Sequence, residues 1–220
     1  NDQLFFTLSA KAAADDGWVR NDQPGANTHA DRRNEQRLNL GLLYKPSADT
    51  QLRLGLSHDQ QSNHGIPGGL VPTGQDYAAY TRDQAATAHF DLPVVTTTRA
   101  DAQHLSLQQK LGSLRLDAVL THRKVRVEGD YDLDWGNDPL YAGLTQFQYS
   151  TIDTTTQELR LSGGAAGQPR WIGGLYFEQD KYRNTRYGMQ YPGEVMGEPF
   201  GPGIDIDMND ASTTRSRTQA

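Results

Sequence analysis

The residues of this sequence best suited to binding chemistry are Tyr, Trp and Arg side chains in and beside three long polar segments. Aromatic rings offer a large contact area at a small entropic cost, and the guanidinium group binds anions through charge and paired hydrogen bonds. The pattern predicts a site for a small anionic ligand; the alternative is that the rings pack the segments against one another. The candidates are Tyr77, Tyr80, Arg82, Tyr131, Trp135, Tyr141, Arg183, Arg186, Tyr187 and Tyr191.

Two acidic clusters raise the question of a metal site. Residues 130–138 carry carboxylates at the first, third and fifth positions, as a calcium-binding EF-hand loop does. The match then fails, because the sixth position is Trp135 rather than glycine and the twelfth is Tyr141 rather than glutamate. Residues 205–210 fail at the sixth position in the same way. We expect solvated acidic loops, and we predict no metal site and no cofactor.

The sequence carries no recognisable catalytic motif. It contains no G-x-S-x-G nucleophile elbow, no P-loop and no Rossmann fingerprint. Its six His residues are not spaced as zinc ligands are. We therefore expect that the protein is not an enzyme. The 21 basic and 27 acidic residues are interspersed and give a net charge of −6, so no basic patch is present for nucleic acid.

The elements that position these residues are indicated by leucines that alternate with polar residues. The alternation occurs in three pairs of segments, each joined by a short turn: 37–44 with 51–58, 105–111 with 114–121, and 158–162 with 171–178. Period-two alternation is typical of β-strands with one apolar and one polar face. We expect antiparallel hairpins.

The alternation also assigns side chains to the two faces of the predicted sheet. The apolar face is predicted to contain Leu38, Leu40, Leu42, Leu52, Leu54, Leu56, Leu105, Leu107, Leu111, Leu114, Leu116, Ala118, Leu120, Leu159 and Leu161. The polar face is predicted to contain Arg53, Ser57, Lys110, Arg115, Asp117, Glu158 and Arg160.

Seven strands and the beginning of an eighth are predicted, joined alternately by long loops and short turns. The strands lie near 3–20, 35–45, 50–60, 100–112, 114–128, 151–163 and 170–184, with the last beginning near 212; the longer loops include 61–99, 130–150 and 184–211. This asymmetry is typical of an all-β, antiparallel transmembrane β-barrel with short periplasmic turns and long extracellular loops.

Composition is compatible with such a barrel. A mean hydropathy of −0.72 excludes a membrane protein built from helices, whereas only every second residue of a barrel strand must be apolar. The absence of Cys suits export through an oxidising compartment. A soluble antiparallel sandwich, which also alternates, is the alternative fold. The first residues run directly into a strand, so we expect an internal segment of a longer protein.

Several segments together resemble the TonB-dependent outer-membrane receptors, in particular their siderophore branch. The resemblance rests on residues 8–11 leading to 16–21, on the hairpin from Leu42 to Asp59, and on Thr-Gln-Glu-Leu-Arg-Leu-Ser at 156–162 followed by 170–177. These matches cover five of the seven predicted strands. Their order and spacing agree with the family.

The resemblance implies an architecture and a function. Residues 1–220 would form about 7–8 strands of a 22-stranded barrel, without its plug domain and its remaining strands. Family members lie in the outer membrane of Gram-negative bacteria, among lipid and lipopolysaccharide, and import ferric siderophores or other scarce nutrients with energy relayed through TonB. TonB would contact an N-terminal region outside these residues. A small barrel with an adhesive or structural role and an outer-membrane enzyme are the alternatives.

Overall fold

The structure is a computed structural model of the 220-residue chain, and a defined part of it is described. The description covers residues 3–219 except 24, 27, 66–80, 82–83, 85, 165–168, 192–193, 196–197, 200–203 and 208–211. Side chains are described as far as residue 190, with residue 140 excepted. Within these residues, no helix is long and apolar enough to cross a membrane.

The described residues form β-strands joined by turns and loops. In chain order the strands are β1 (Leu4–Asp15), β2 (Arg20–Asn21), β3 (Arg33–Ser47), β4 (Thr50–Asn63), β5 (Thr87–Ala88), β6 (Val95–Leu111), β7 (Leu114–Asp132), β8 (Thr145–Gly163), β9 (Trp171–Tyr191), β10 (Glu194–Val195), β11 (Glu198–Pro199), β12 (Ile204–Asp207) and β13 (Ser212–Gln219). One 3-10 turn, Pro139–Tyr141, lies between β7 and β8.

One antiparallel sheet contains all the long strands. Its order is β1-β3-β4-β6-β7-β8-β9, and β12 and β13 both pair with β9. Long strands that follow one another in sequence are neighbours in the sheet, as in an up-and-down barrel. The two other described sheets contain two strands each, β2 with β5 and β10 with β11. The predicted all-β, antiparallel fold is therefore confirmed.

Short turns and long connections alternate as predicted. Gly112 adopts a φ of 63° in the two-residue turn between β6 and β7, a conformation that glycine adopts at no steric cost. Longer connections join the strands at their other ends: the first (16–32), the second (64–94), the third (133–144) and the fourth (192–211).

The third connection is shorter than predicted, because β7 and β8 remain paired far beyond their leucines. Their ladder continues from Leu116↔Leu161 to Asp132↔Thr145. Backbone hydrogen bonds maintain the strands there, although the leucines are absent and polar side chains lie on both faces. A prediction based on hydrophobic period consequently ends the strands too early.

The register places the alternating leucines on one face of the sheet. Directly opposed pairs include Leu8↔Leu40, Leu42↔Leu54 and Leu105↔Leu120. We call this continuous surface the leucine belt; it comprises all fifteen residues predicted for the apolar face, and it also includes Leu8 and Leu175. Leu8 and Leu175 expose 66% and 65% of their surface. Among the described residues no second sheet covers the belt, which argues against the sandwich.

The opposite face, here the polar face, is cross-linked by charged and hydroxyl side chains. Lys11 Nζ lies 2.6 Å from Glu35 Oε2, and Arg37 pairs with Asp59. Arg115 and Arg160, both predicted for this face, form ion pairs of 2.8 and 3.0 Å with Asp117 and Glu158. The seven residues predicted for the polar face all lie on it by register.

Candidate functional site

The long-connection end of the sheet contains a small hydrophobic core of its own. Its buried members, here called the loop core, are Val19, Ala30, Ala88, Phe90 and Val94. They come from the first and second connections, and Tyr131 and Trp135 pack against them. The first, second and third connections are therefore packed against one another and against the sheet.

The first and second connections also share backbone hydrogen bonds. β2 and β5 pair in parallel, with Arg20 opposite Thr87 and Asn21 opposite Ala88. The Asn21 carboxamide donates to the Phe90 carbonyl and accepts from the Phe90 amide, each at 2.9 Å. Asn21 thereby satisfies backbone groups that would otherwise be buried without partners.

Asp31 organises the first connection from within. Its carboxylate accepts hydrogen bonds from the Trp18 amide at 3.0 Å and from the Val19 amide at 2.9 Å. A Cβ at Gly17, whose φ is +75°, would lie 2.0 Å from Asp31 Oδ1. The close approach of the chain to this carboxylate therefore requires glycine.

A polar cavity of about 690 Å³ opens between the polar face and the first two connections. Its lining includes Asp31, Arg33, Glu35, Gln61, His64 and Thr96. Burial, with a smaller contribution from the charge of Arg32, lowers the pKa of His64. The cavity thus combines a guanidinium group, carboxylates, an amide and an uncharged imidazole, which suits a small polar ligand.

Three carboxyl groups meet beside the loop core. Asp91 in the second connection, Asp132 at the end of β7 and Asp134 in the third connection each place one oxygen within 4.8 Å of the others. We call this cluster the acidic triad. Asp132 is completely buried. Burial, reinforced by Asp134 and Asp91, raises the pKa of Asp132 to about 8.

The acidic triad corrects the expectation of a solvated loop at 130–138, since Asp132 has 0% exposure. Asp130 belongs to a different group: its two oxygens lie 2.9 and 3.1 Å from the Tyr149 hydroxyl, which donates to them. Sequence spacing did not reveal the triad, because Asp91 comes from another connection. The side chains of 205–210 lie outside the described residues.

The structure separates the predicted ligand-binding residues. Tyr131 and Tyr187 lie on the polar face, where the Tyr187 hydroxyl accepts a hydrogen bond of 3.3 Å from Gln146. Trp135 lies in the third connection, with its ring 5.7 Å from that of Phe90 in an edge-on contact. The alternative interpretation, that aromatic rings pack the connections together, therefore fits Tyr131 and Trp135. Tyr141 is exposed in the 3-10 turn.

Two of the three predicted arginines lie on the other side of the sheet. Arg183 and Arg186 lie on strand β9, on the face of the leucine belt, and the Arg186 guanidinium carbon lies 3.7 Å from the centre of the Phe147 ring. A β-bulge opposite Tyr149 and Ser150 adds Thr185 to strand β9, and both arginines consequently point to the same face of the sheet. Arg183 and Arg186 therefore do not share a face of the sheet with Tyr131 and Tyr187.

The side chains of four predicted residues lie outside what the structure describes. Tyr77, Tyr80 and Arg82 fall in the undescribed part of the second connection, and Tyr191 is described in its backbone alone, at the end of β9. The sequence did not lead us to predict the polar cavity. Its sequence signal is the run of alternate polar residues, such as Arg33, Glu35 and Gln61, that continues the strands beyond their leucines.

Comparison with known proteins identifies the fold. No model of a known family matches the chain, and no curated protein sequence matches it. Among solved structures, the ferric yersiniabactin uptake receptor FyuA from Yersinia pestis superposes with a TM-score of 0.67 at 10% sequence identity. The match covers 99% of this chain and 38% of that receptor chain. The chain shares its fold with part of that receptor chain.

This similarity places the described geometry within a barrel wall. In a barrel of this kind one sheet face is turned outwards and the other towards the interior. The leucine belt and the cross-linked polar face divide the sheet in that manner. The similarity is to a transport receptor rather than to an enzyme.

Proposed function

We propose that this chain is part of the barrel of a TonB-dependent receptor that imports a ferric siderophore, or a similar scarce nutrient, across the outer membrane of a Gram-negative bacterium. The observation that carries the proposal is the fold similarity over 99% of the chain to a ferric siderophore uptake receptor. The exposed leucine belt and the polar cavity on the opposite face support it.

The leucine belt supports contact with lipid. Each of β3, β4, β6, β7, β8 and β9 is hydrogen-bonded to a strand on both sides, which satisfies its backbone where water is absent, and the belt presents apolar side chains to hydrocarbon. Tyr44 and Trp171 lie at the short-turn end of the belt, where aromatic girdles of such barrels lie. The short turns are then periplasmic and the long connections extracellular.

The polar cavity supports a ligand site at the extracellular end. Arg33 supplies a positive charge, and Gln61, Thr96 and His64 add neutral hydrogen-bonding groups. The carboxylates of Asp31 and Glu35 line the cavity as well, so the lining suits an oxygen-rich ligand that offers hydrogen-bond donors as well as acceptors. Tyr131 and Tyr187 lie on the same face as the cavity.

Basic residues on the outward face support a partner in the outer leaflet. Lys124, Arg126, Lys181 and Arg183 lie on the face of the leucine belt, beyond its leucines towards the long connections. Their position suits the phosphate groups of lipopolysaccharide, in addition to the lipid that contacts the belt. We propose no nucleic-acid partner, and TonB would bind elsewhere in the protein.

The proposal is tested by deleting the whole gene and supplying iron as one ferric siderophore at a time. We expect the deletion to abolish growth and uptake with one siderophore, ferric yersiniabactin being the first to test, and we expect uptake to require TonB. Iron salts at high concentration serve as the control and should restore growth. Unchanged uptake of every siderophore tested, and of haem and cobalamin, would contradict the proposal.

A further inference from the structure

We propose that the acidic triad of Asp91, Asp132 and Asp134 binds a Ca²⁺ ion that holds the second connection against the third. The inference is independent of the transport proposal. It rests on the arrangement of the three carboxyl groups and on the hydrogen bonds that hold them in place. It also rests on the carboxylate oxygens that accept no hydrogen bond.

Each carboxyl group of the triad keeps one shielded oxygen that has no hydrogen-bond partner. These atoms are Asp91 Oδ1, Asp132 Oδ2 and Asp134 Oδ1. Asp132 is fully buried, so bulk water cannot hydrogen-bond to its carboxylate. Buried carboxylates without partners are unfavourable, and proteins accommodate them by ion pairing, by protonation or by coordinating a metal. The triad therefore has the unsatisfied acceptors that a cation requires.

The other oxygens and the backbone hold the triad in place. Asp91 Oδ2 accepts a hydrogen bond of 3.1 Å from the Gly143 amide, and Asp132 Oδ1 accepts one of 3.2 Å from the Trp135 amide. The Asp91 amide donates to the Gly136 carbonyl at 3.0 Å. These bonds join the second and third connections around the triad, so the carboxyl groups are positioned before any ion binds.

Trp135 contributes to this positioning through its backbone. Its φ of 56° lies in the left-handed region, which bulky residues rarely adopt. The resulting turn begins at Asp132, whose side chain accepts from the Trp135 amide, and it carries Asp134 back towards Asp132. The Trp135 ring contacts Phe90, the residue before Asp91. The ring contact and the triad therefore join the same two connections.

The donor set selects the class of metal. All three side chains offer carboxylate oxygen, whereas zinc favours nitrogen and sulfur ligands. Ca²⁺ binds oxygens at about 2.3–2.6 Å, so ligands on opposite sides of the ion lie up to about 5 Å apart. The separation of the triad, within 4.8 Å, falls inside that limit. Mg²⁺ requires shorter bonds and keeps most of its water, so we expect it to bind more weakly.

The direct test measures Ca²⁺ binding by calorimetry in the full-length protein purified in detergent, after treatment with a chelator. We expect the wild type to bind Ca²⁺ and Asp132→Asn, which keeps the shape and removes the charge, to weaken that site by more than about tenfold. Asp130→Asn is the matched control, since Asp130 contacts Tyr149 instead of the triad, and it should bind like the wild type. A wild type without a site, or an Asp132→Asn variant that binds equally, would overturn the proposal.

A second measurement covers the case in which Asp132→Asn fails to fold. Amide hydrogen exchange of the wild type is followed with and without Ca²⁺, with Mg²⁺ at the same concentration as a comparison. We expect Ca²⁺ to slow exchange at 86–94 and 133–144 and to leave the turn between β6 and β7 unchanged. If Ca²⁺ leaves the exchange rates of both segments unchanged, the carboxyl groups are stabilised by shared protons instead, and the proposal of a calcium site is wrong. Equal protection by Mg²⁺ would contradict the choice of Ca²⁺.

Discussion

The Asn21 side chain and the Phe90 backbone form a closed pair of hydrogen bonds, both 2.9 Å long, that joins the first connection to the second. Both residues are buried. The pair lies beside the loop core, so the hydrogen bonds and the apolar contacts stabilise the same arrangement of connections above the polar cavity.

Replacing Asn21 with Ala should loosen this arrangement. The change leaves the amide and the carbonyl of Phe90 buried without partners, which costs about 1–3 kcal/mol per group. We expect faster hydrogen exchange at 17–31 and 86–91, with the strands unaffected. Gln23→Ala, which removes a side chain bonded to the neighbouring Asp22, is the control. If both variants exchange alike, Asn21 does not join the connections.

Alternating leucines are sufficient to predict the long strands, their two faces and the short turns. A strand with one apolar face repeats every two residues, and the register with its neighbours must keep the apolar side chains on the same face. The loop core is different. Val19, Ala30 and Ala88 stand singly in polar segments, and nothing in their spacing indicates that they meet.

The arginines show a second limit of sequence reasoning. In a regular strand Arg183 and Arg186 would point to opposite faces, since they are three positions apart. The bulge at Thr185 reverses that relation. A bulge depends on pairing between strands, and no pattern along β9 alone reports it.

The pH dependence of the cavity is expected to follow His64. Burial lowers the pKa of His64 in the folded protein, where the connections close over the cavity. In an opened or unfolded chain the same imidazole binds a proton near pH 6.5, its ordinary pKa. The closed arrangement should therefore be unaffected above about pH 6.5 and lose stability as the pH falls below it. Hydrogen exchange of residues 30–33 and 62–65 measures this loss.

The control for this prediction is His64→Gln, compared with the wild type at each pH. The variant cannot titrate at this position, so its protection should change less between pH 7 and pH 5. Identical pH profiles for the two proteins would show that another group is responsible.

Ligand import should distinguish Arg33 from Arg183. Arg33 lines the polar cavity, whereas Arg183 is exposed on the opposite face of the sheet. With the siderophore identified by gene deletion, we expect Arg33→Gln to weaken binding by about tenfold, as the loss of one charge-assisted hydrogen bond implies. Arg183→Gln should bind and import normally. The reverse result would place the ligand on the other face.

Substitutions within β4 should differ according to the face. Leu54→Arg places a charge in the leucine belt and should cost about 2–4 kcal/mol at the middle of the bilayer. Ser57→Arg, on the polar face of the same strand, should cost much less. Denaturant titration of the full-length protein folded into lipid vesicles provides both values, and equal costs would be incompatible with the assigned faces.

The most direct test of the membrane-spanning barrel uses the absence of Cys from this chain. Single Cys substitutions at Leu52, Arg53, Leu54, Leu56 and Ser57 can each carry a nitroxide label in the full-length protein reconstituted in lipid. We predict that labels at 52, 54 and 56 collide mainly with oxygen dissolved in the bilayer. Labels at 53 and 57 should collide mainly with a water-soluble nickel complex. Loss of this alternation, with every label equally accessible to the nickel complex, would contradict the barrel.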